Sequence, residues 1–337
     1  RNASLRHSML IACTRACCIS LLALATLRLK SIYITPRSTF SHLSIGHKFN
    51  PILDHFEPAQ NYPPSHTDHR PYRTAYVFIG GFGDPPSSYS PLVTVLKSQA
   101  SRDSIVLTPA TPGWESYDNF KASRSLTHKS WLRSCLSSLR LANSLSDRVV
   151  VVGHSTGALV ITRALQIHDD DLVDEVYFTG PNLRANEDDK EAKRLLLGRL
   201  GSIVKFALPV IKKKVRKAED GTIRPCDTLN EDYHKSGFYL KAFPVNAIVE
   251  MFKLQEQISS SSLSWGSRVK RVVFFKGESD RSVGDMQEQI DLVESVCWAG
   301  KVEFFKVKDA AHNLVFEREE SGVLDLLVNE GTCRSRS

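Results

Sequence analysis

Short apolar runs alternate with longer amphipathic segments along the chain from Ala75 onward. The runs are rich in β-branched and aromatic residues, whereas the intervening segments carry apolar residues at roughly helical spacing. Runs that are apolar throughout are typical of parallel strands buried on both faces. The predicted strands are 75–80, 104–109, 147–153, 174–180, 270–277 and 301–307, and the predicted helices include 130–143 and 285–296. The pattern predicts an α/β fold with a doubly wound, mostly parallel sheet.

One interval, residues 182–264, interrupts this alternation. It is too long for a single crossover helix, so we expect an inserted helical cap. Its first half, 194–217, is apolar on one side and strongly basic, and its second half contains a predicted helix around 245–258. The α/β core is therefore predicted to consist of 75–181 and 265–330.

Residues 1–50 have the composition of a targeting leader, because no acidic residue precedes Asp54. An apolar run, 16–27, lies between Arg15 and Arg28; it has signal-peptide length and is short for a membrane span. The alternatives for this segment are a secretory or membrane-associated leader, an organellar transit peptide and a buried core helix. If the segment is not a leader, we expect the protein in the cytoplasm. Residues 51–74 are a predicted irregular linker, rich in Pro and His.

A GxSxG motif, Gly153-His154-Ser155-Thr156-Gly157, directly follows the run VVVV and precedes the amphipathic ALVITRAL. This context predicts a nucleophile elbow, in which the two glycines allow a sharp strand-to-helix turn and Ser155 projects above the sheet edge. The helix that follows favours negative charge developing at its N-terminus. Ser155 is therefore the predicted nucleophile.

A serine hydroxyl needs a general base and an acid that orients the base, and in this type of fold both follow the serine in the chain. Asp280 follows the predicted strand RVVFFKG, and His312 follows KVEFFKV. Both lie where a strand's carboxyl end places catalytic groups in an open α/β sheet. Asp280 is the preferred acid, and Glu278 and Asp285 are its alternatives.

An oxyanion hole needs one amide after the nucleophile and one from the loop after an earlier strand. Thr156 supplies the first amide. Gly80-Gly81-Phe82-Gly83 follows the strand AYVFI, and the amide of Phe82 is the candidate for the second. The alternative for this segment is a plain glycine turn.

The remaining histidines and cysteines are predicted to be non-catalytic. His154 is expected to pack within the elbow. The histidines expected at the surface or in the cap are His128, His168 and His234. No CxxC pair occurs, so neither a zinc knuckle nor a thioredoxin-type motif is indicated, and we expect no metal or other cofactor. The cysteines of the body, expected to be free thiols unless secretion allows a disulfide, are Cys135, Cys226, Cys297 and Cys333.

The chain resembles the α/β-hydrolase superfamily, and most closely its carboxylesterase, monoacylglycerol lipase and lysophospholipase branch. The resemblance covers about residues 75–328 and is carried by IGGFG, PGWES, VVVVGHSTGA, GESD and AAHNLVFE. The chain departs from the family's usual histidine at Gly80 and from its usual Gly-His-Gly at 113–115. Gly80 together with GHSTG is also similar to a eukaryotic group that includes siderophore esterases.

The resemblance implies an α/β-hydrolase fold and hydrolysis of a mono-acyl lipid or other small ester through an acyl enzyme. A thioesterase, a siderophore-type esterase and a non-catalytic binding protein of the same fold are the alternatives. Cap residues that are candidates for an acyl pocket, or for the cap's own small core, include Leu195, Phe206 and Leu208.

The net charge of +7 is modest for 337 residues, so its distribution matters more than its total. Basic residues are concentrated between 205 and 217. Two interpretations stay open: contact with an anionic membrane surface, and an ordinary solvated face. Nucleic acid is not an expected partner, because the run lacks interleaved aromatic residues and a recognised binding fold.

Overall fold

The computed structural model describes the strands and helices that surround the predicted site. The described residues are 70–84, 86–89, 93, 104–113, 127–168, 171–199, 201–207, 210–212, 215–217, 223–225, 228, 242–261, 263–297 and 300–316. The predicted leader, most of the linker and the chain after 316 lie outside them. So do His66, Asp68 and His69 of the linker.

The secondary structure alternates between strands and helices as the apolar pattern predicts. The strands are β1 (Tyr72–Ile79), β2 (Ser104–Leu107), β3 (Ser146–His154), β4 (Glu175–Thr179), β5 (Val210–Lys212), β6 (Val215–Lys217), β7 (Ile223–Pro225), β8 (Ala242–Pro244), β9 (Arg271–Gly277) and β10 (Lys301–Val307). The helices are α1 (His128–Leu145), α2 (Thr156–Ile167), α3 (Glu187–Leu197), α4 (Gly201–Ala207), α5 (Val245–Ser259) and α6 (Met286–Glu294), with 3-10 turns at Pro86–Tyr89 and Leu314–Phe316.

Six strands form the central sheet in the order β10-β9-β4-β3-β1-β2. Every neighbouring pair is parallel. The order reverses direction at β3, because β1 and β2 lie on one side of it and β4, β9 and β10 on the other. This confirms the predicted doubly wound α/β sheet, and each of the six predicted strands overlaps one strand of the sheet. The predicted boundary between linker and core was wrong, because β1 begins at Tyr72, within the predicted linker 51–74.

The sheet is buried on both faces, as β3 shows. Val149 and Val151 belong to one apolar cluster, and Val150 and Val152 belong to the cluster on the opposite face. Alternate side chains of a strand point to opposite faces, so a strand covered on both sides must be apolar at every position. This is the physical reason for the uninterrupted VVVV before the elbow.

The interval between β4 and β9 contains α3, α4, α5 and two short antiparallel strand pairs, β5 with β8 and β6 with β7. The predicted helix at 245–258 is confirmed as α5. Its buried Val245, Phe252 and Leu254 belong to the same apolar cluster as Trp131 of α1 and Leu159 of α2. Separation of 182–264 as a cap stays a prediction, as does a membrane role for the basic run, most of whose side chains lie outside the described residues.

Within the described part of the chain, no helix combines the length and the apolar character that crossing a bilayer requires. Neither Cys135 nor Cys297 forms a disulfide with another described residue. Burial raises the pKa of the Cys135 thiol to about 12, which leaves it protonated and unreactive at neutral pH. Cys226 and Cys333 lie outside the described residues.

Candidate active site

The turn between β3 and α2 holds Ser155 in an unusual backbone conformation, with φ 50° and ψ −115°. A positive φ is costly for a residue with a side chain, so it persists only where the surroundings enforce it. The Ser155 N–H donates to Thr179 O at 3.0 Å. A Cβ on Gly157 would lie 2.1 Å from Ile79 O, so only glycine allows α2 to approach β1 this closely. Ser155 thus lies at a tight turn between β3 and α2, and its role as a nucleophile stays a prediction.

The hydroxyl of Ser155 faces an imidazole. Ser155 occupies the N-cap position of α2, where a serine side chain usually bonds to the helix, but it makes no capping hydrogen bond. Its Oγ lies 2.8 Å from His312 Nε2 instead. Both residues are buried. The structure therefore brings together the predicted nucleophile and the predicted base across a separation of 157 positions.

The other imidazole nitrogen, His312 Nδ1, lies 3.0 Å from Asp280 Oδ2. The second oxygen, Oδ1, accepts the Ser282 N–H at 2.8 Å. Burial raises the pKa of Asp280, but the charge and hydrogen bond of His312, together with the Ser282 N–H, outweigh burial and leave this pKa below its ordinary value. An ionised carboxylate only accepts, so Nδ1 carries the hydrogen and Nε2 presents its lone pair to the serine hydroxyl.

The two alternative acids, Asp285 and Glu278, interact with other groups. Asp285 is the N-cap of α6 and accepts the Glu288 N–H at 3.2 Å. Glu278 is about half exposed and lies 3.1 Å from Lys306 Nζ. Of the three candidates, Asp280 is the one that contacts His312 in the described structure.

The loops that carry Asp280 and His312 are bonded to each other. The Glu278 N–H donates to Val307 O, and the Ser279 N–H donates to Ala310 O. A Cβ on Gly277 would lie 2.2 Å from Ala311 O, so the two loops are in close backbone contact. Because β9 and β10 are adjacent and parallel, their carboxyl ends bring acid and base together.

The loop after β1 folds back on itself beside the nucleophile. The Gly81 N–H donates to Asp84 Oδ2 at 2.9 Å, and the Asp84 N–H donates to Gly81 O at 3.2 Å. Gly83 has φ 86°. A Cβ on Gly81 would lie 3.1 Å from Ser155 Cβ. The predicted oxyanion loop is thus in contact with the elbow, and Phe82 follows the residue that makes this contact.

The two predicted oxyanion amides belong to the residues that follow the two in contact, Phe82 after Gly81 and Thr156 after Ser155. Thr156 begins α2, where a helix N–H has no intrahelical acceptor. The half-buried Phe82 ring packs edge-on against Phe243 and Trp131, with centroids 4.7 Å and 6.3 Å apart. These contacts tie the oxyanion loop to α1 and to the strand that precedes α5.

Sequence reasoning missed a polar group beside the elbow, Asn182, which follows β4. Its N–H donates to Ser155 O at 3.3 Å, and its Nδ2 lies 3.3 Å from Met251 Sδ. Gln255 of α5 donates through Nε2 to Asn182 Oδ1 at 3.1 Å. Met251 Sδ also lies 3.7 Å from Thr156 Oγ1. The only sequence signal was the position of Asn182 just after a strand's carboxyl end.

The structure describes the remaining predicted site residues only in part. Leu195 is half-buried on α3, and Phe206 lies on α4, but the Phe206 side chain and Leu208 fall outside the described residues. Their role as a pocket stays a prediction. His168 is half-buried and His234 is not described. The expectation that His128 is a surface or cap group was wrong, because its ring is buried at the start of α1 and contacts Glu250 at 2.7 Å.

The model of the Alpha/beta hydrolase family matches residues 76–325, which is more than half of the chain. The chain belongs to the alpha/beta hydrolase family. The resemblance inferred from the motifs is thereby confirmed. No curated protein matches the sequence of this hydrolase.

Solved structures similar to this hydrolase include lipolytic enzymes. A soluble variant of monoglyceride lipase from Saccharomyces cerevisiae has a TM-score of 0.58 at 13% identity, over 77% of this chain and 86% of that one. A structure from work on the metagenome-derived lipolytic enzymes LipS and LipT has a TM-score of 0.56 at 15% identity, over 77% of this chain and 93% of that one. Monoacylglycerol lipase of Paleococcus ferrophilus has a TM-score of 0.54 at 15% identity, over 77% of this chain and 96% of that one. At these identities the likeness shows a common fold.

Proposed function

We propose that this hydrolase cleaves carboxylic esters through an acyl enzyme on Ser155, with His312 as general base and Asp280 as the group that orients it. The observation that carries the proposal is the continuous hydrogen-bonded path from Ser155 Oγ to His312 at 2.8 Å and from His312 to Asp280 at 3.0 Å. These distances are within the reach that proton transfer to a general base requires.

In the first step, Ser155 Oγ attacks the acyl carbonyl carbon while His312 Nε2 takes the hydroxyl proton. The resulting imidazolium is stabilised by the ionised Asp280, whose pKa stays below its ordinary value. His312 then gives the proton to the departing alcohol. Water repeats the sequence on the acyl enzyme, which releases the acid and restores Ser155.

The amides of Phe82 and Thr156 are the proposed donors to the carbonyl oxygen as it gains negative charge. Such donors stabilise the tetrahedral intermediate more than the ester, and losing one typically costs about 100- to 1,000-fold in rate. The contact of Gly81 with Ser155, and the start of α2 at Thr156, support this assignment.

The proposed substrates are mono-acyl lipids or other small esters. The similarity of the fold to two monoacylglycerol lipases supports this class. Ser155, His312 and Asp280 supply the nucleophile, the base and its orienting group, so the proposed reaction requires no metal or organic cofactor.

The test is hydrolysis of p-nitrophenyl esters from acetate to palmitate by the 337-residue chain, with Ser155→Ala as the variant. We expect turnover by the wild type and its loss in Ser155→Ala, and the preferred chain length measures the acyl pocket. Ser138→Ala on α1, which removes another partly buried hydroxyl, is the matched control and should remain active. A folded wild type without turnover, and unlabelled by a fluorophosphonate at Ser155, would contradict the proposal.

A further inference from the structure

A second imidazole lies beneath the proposed catalytic one. The His154 side chain is 2% exposed, and its ring centroid lies 5.2 Å from that of His312. His154 Nδ1 lies 3.0 Å from Thr179 O and 3.1 Å from Thr179 Oγ1. His154 Nε2 lies 3.1 Å from Asn313 Oδ1. Both ring nitrogens are therefore engaged within the protein, and the expected packing role of His154 is accompanied by a polar one.

The hydrogen-bond partners define the state of this ring. Thr179 O only accepts, so Nδ1 carries the hydrogen. Burial lowers the pKa of His154, although the carboxylate of Asp84, 3.8 Å from Nε2, opposes the effect. A neutral ring accepts at Nε2 and needs a donor there. The atom that faces Nε2 is Asn313 Oδ1, which cannot donate, whereas Asn313 Nδ2 has no hydrogen-bond partner among the described residues. Amide nitrogen and oxygen are assigned from their hydrogen bonds, so we assign the Asn313 amide in the orientation turned by 180°, in which Nδ2 donates to His154 Nε2.

This hydrogen bond joins two segments whose relative position matters for the chemistry. His154 immediately precedes Ser155, and Asn313 immediately follows His312. Their link therefore lies one residue away from the 2.8 Å contact between Ser155 Oγ and His312 Nε2. The ring also touches the oxyanion loop, because a Cβ on Gly81 would lie 2.9 Å from His154 Cδ2. One imidazole thus contacts the elbow, the end of β4, the oxyanion loop and the His312 loop.

We propose that His154 and Asn313 are positioning residues of this hydrolase, a buried imidazole–amide pair that holds the His312 loop in register with the nucleophile elbow. The inference rests on the proposed function and adds to it two residues that do not touch the reacting atoms. Displacing a catalytic group by about 1 Å can cost about 100-fold in rate, so a single hydrogen bond that sets this spacing has a large effect.

The test compares Asn313→Leu with the wild type in the 337-residue chain. Leucine keeps the approximate shape of asparagine and removes the hydrogen bond. The matched control is Thr162→Val on α2, which removes a fully buried hydroxyl that has no hydrogen-bond partner in the described part of the chain. The first readout is the rate of Ser155 labelling by a fluorophosphonate, which does not depend on the natural ester. The second is the downfield NMR signal of the His312 Nδ1 proton bonded to Asp280.

We expect Asn313→Leu to slow labelling by about 10- to 100-fold and to broaden or shift the His312 signal, because the His312 loop loses its anchor. With p-nitrophenyl esters, kcat should fall while KM stays near the wild-type value. Thr162→Val should match the wild type in all three measurements. Labelling of Asn313→Leu at the wild-type rate, in a protein with an unchanged Tm, would overturn the positioning role.

A second variant covers the case in which Asn313→Leu does not fold. Asn313→Asp is nearly isosteric and adds a negative charge near His154 and His312, next to the charge of Asp84. This charge favours both imidazolium forms, so the acidic limb of the labelling rate should move to higher pH. If the acidic limb of the labelling rate stays at its wild-type pH, the result counts against the proposed His154–Asn313 pair. If the wild type is not labelled at all, the proposed function fails, and the His312 signal alone decides whether Asn313 positions the loop.

Discussion

At the scale of single residues, the site depends on a few positions that tolerate little change. Ser155 holds a positive φ, which costs about 1–3 kcal/mol and persists only because its neighbours enforce it. Its motif made it predictable, since the residues that create the turn are adjacent in sequence. Asn313 and Asp84 were not predictable, because their partner His154 lies far away along the chain and asparagine or aspartate in a loop has many ordinary uses.

The residue-scale prediction concerns the charge on Asp280. Asp280→Asn keeps the shape of the side chain but loses the carboxylate, so His312 is no longer held in the productive tautomer and its imidazolium is no longer stabilised. If Asp280 orients His312 as proposed, kcat should fall by about 10,000-fold, the loss that this change causes in a Ser-His-Asp triad. Removing a negative charge lowers the pKa of His312, so the acidic limb of the residual activity should move to lower pH.

The pH dependence of kcat/KM on a p-nitrophenyl ester measures both effects of Asp280→Asn. Asp285→Asn is the control, because that carboxylate caps α6 and does not contact His312 in the described structure. Residual activity of Asp280→Asn within tenfold of the wild type, with an unmoved acidic limb, would count against Asp280 as the orienting acid.

At the scale of elements, the short apolar runs made the six main strands predictable, and apolar residues at helical spacing made α1, α5 and α6 predictable. β5, β6, β7 and β8 span three residues each, which is too short for a hydrophobic period to identify them. The packing of α5 against α1 was equally absent from the pattern. It includes a buried polar contact: Glu250 Oε2 accepts from the His128 N–H at 3.1 Å and lies 2.7 Å from His128 Nδ1.

The element-scale prediction is that Glu250→Leu weakens the attachment of α5 to α1. The change leaves the buried polar groups of His128 without their acceptor, so we expect the free energy of unfolding to fall by about 2–3 kcal/mol. Glu256→Leu on the same helix removes a carboxylate that is 58% exposed and should change stability by less than about 1 kcal/mol. Urea unfolding of both variants measures the difference.

The same contact has a pH signature. Burial raises the pKa of Glu250, but hydrogen bonds from Lys253 and His128 outweigh burial and hold this pKa below its ordinary value of 4.5. A folded-state pKa that is depressed adds stability above pH 4.5 and loses it as the pH falls through the folded value. The difference in unfolding free energy between wild type and Glu250→Leu should therefore narrow below pH 4.5. A difference that is constant from pH 7 to pH 3.5 would contradict this account.

At the scale of the whole molecule, the two edges of the sheet do different things. The carboxyl edge carries Ser155, Asp280 and His312. The amino edge carries charged groups that bind neighbouring strands to each other, such as Arg148 with Glu175 at 2.7 Å. Arg268 donates to Asp174, Asn143 and the carbonyl oxygens of Asp147 and Asp171, and so connects the segments that lead into β3, β4 and β9.

The prediction at this scale is that changes at the amino edge of the sheet affect stability and leave activity unchanged. Arg268→Met should lower the free energy of unfolding by about 2–3 kcal/mol, because several acceptors lose a charged donor. It should leave kcat/KM unchanged well below Tm, since the altered contacts lie at the edge away from Ser155. Arg184→Met, whose pair with Glu288 spans 3.9 Å at the surface, is the control and should be nearly neutral. A large loss of kcat/KM in folded Arg268→Met would contradict the separation.

The sequence by itself determined the class of fold, the six main strands and the candidates for nucleophile, base and acid. These features are local: a strand buried on both faces must be apolar throughout, and an elbow needs small residues beside its serine. Only the tertiary structure decided that Asp280 rather than Glu278 contacts His312, that His128 is buried against Glu250, and that His154 joins Asn313. Those contacts link residues that are distant in the chain. Hydrophobic periodicity carries no information about which polar groups will be in contact in the folded protein.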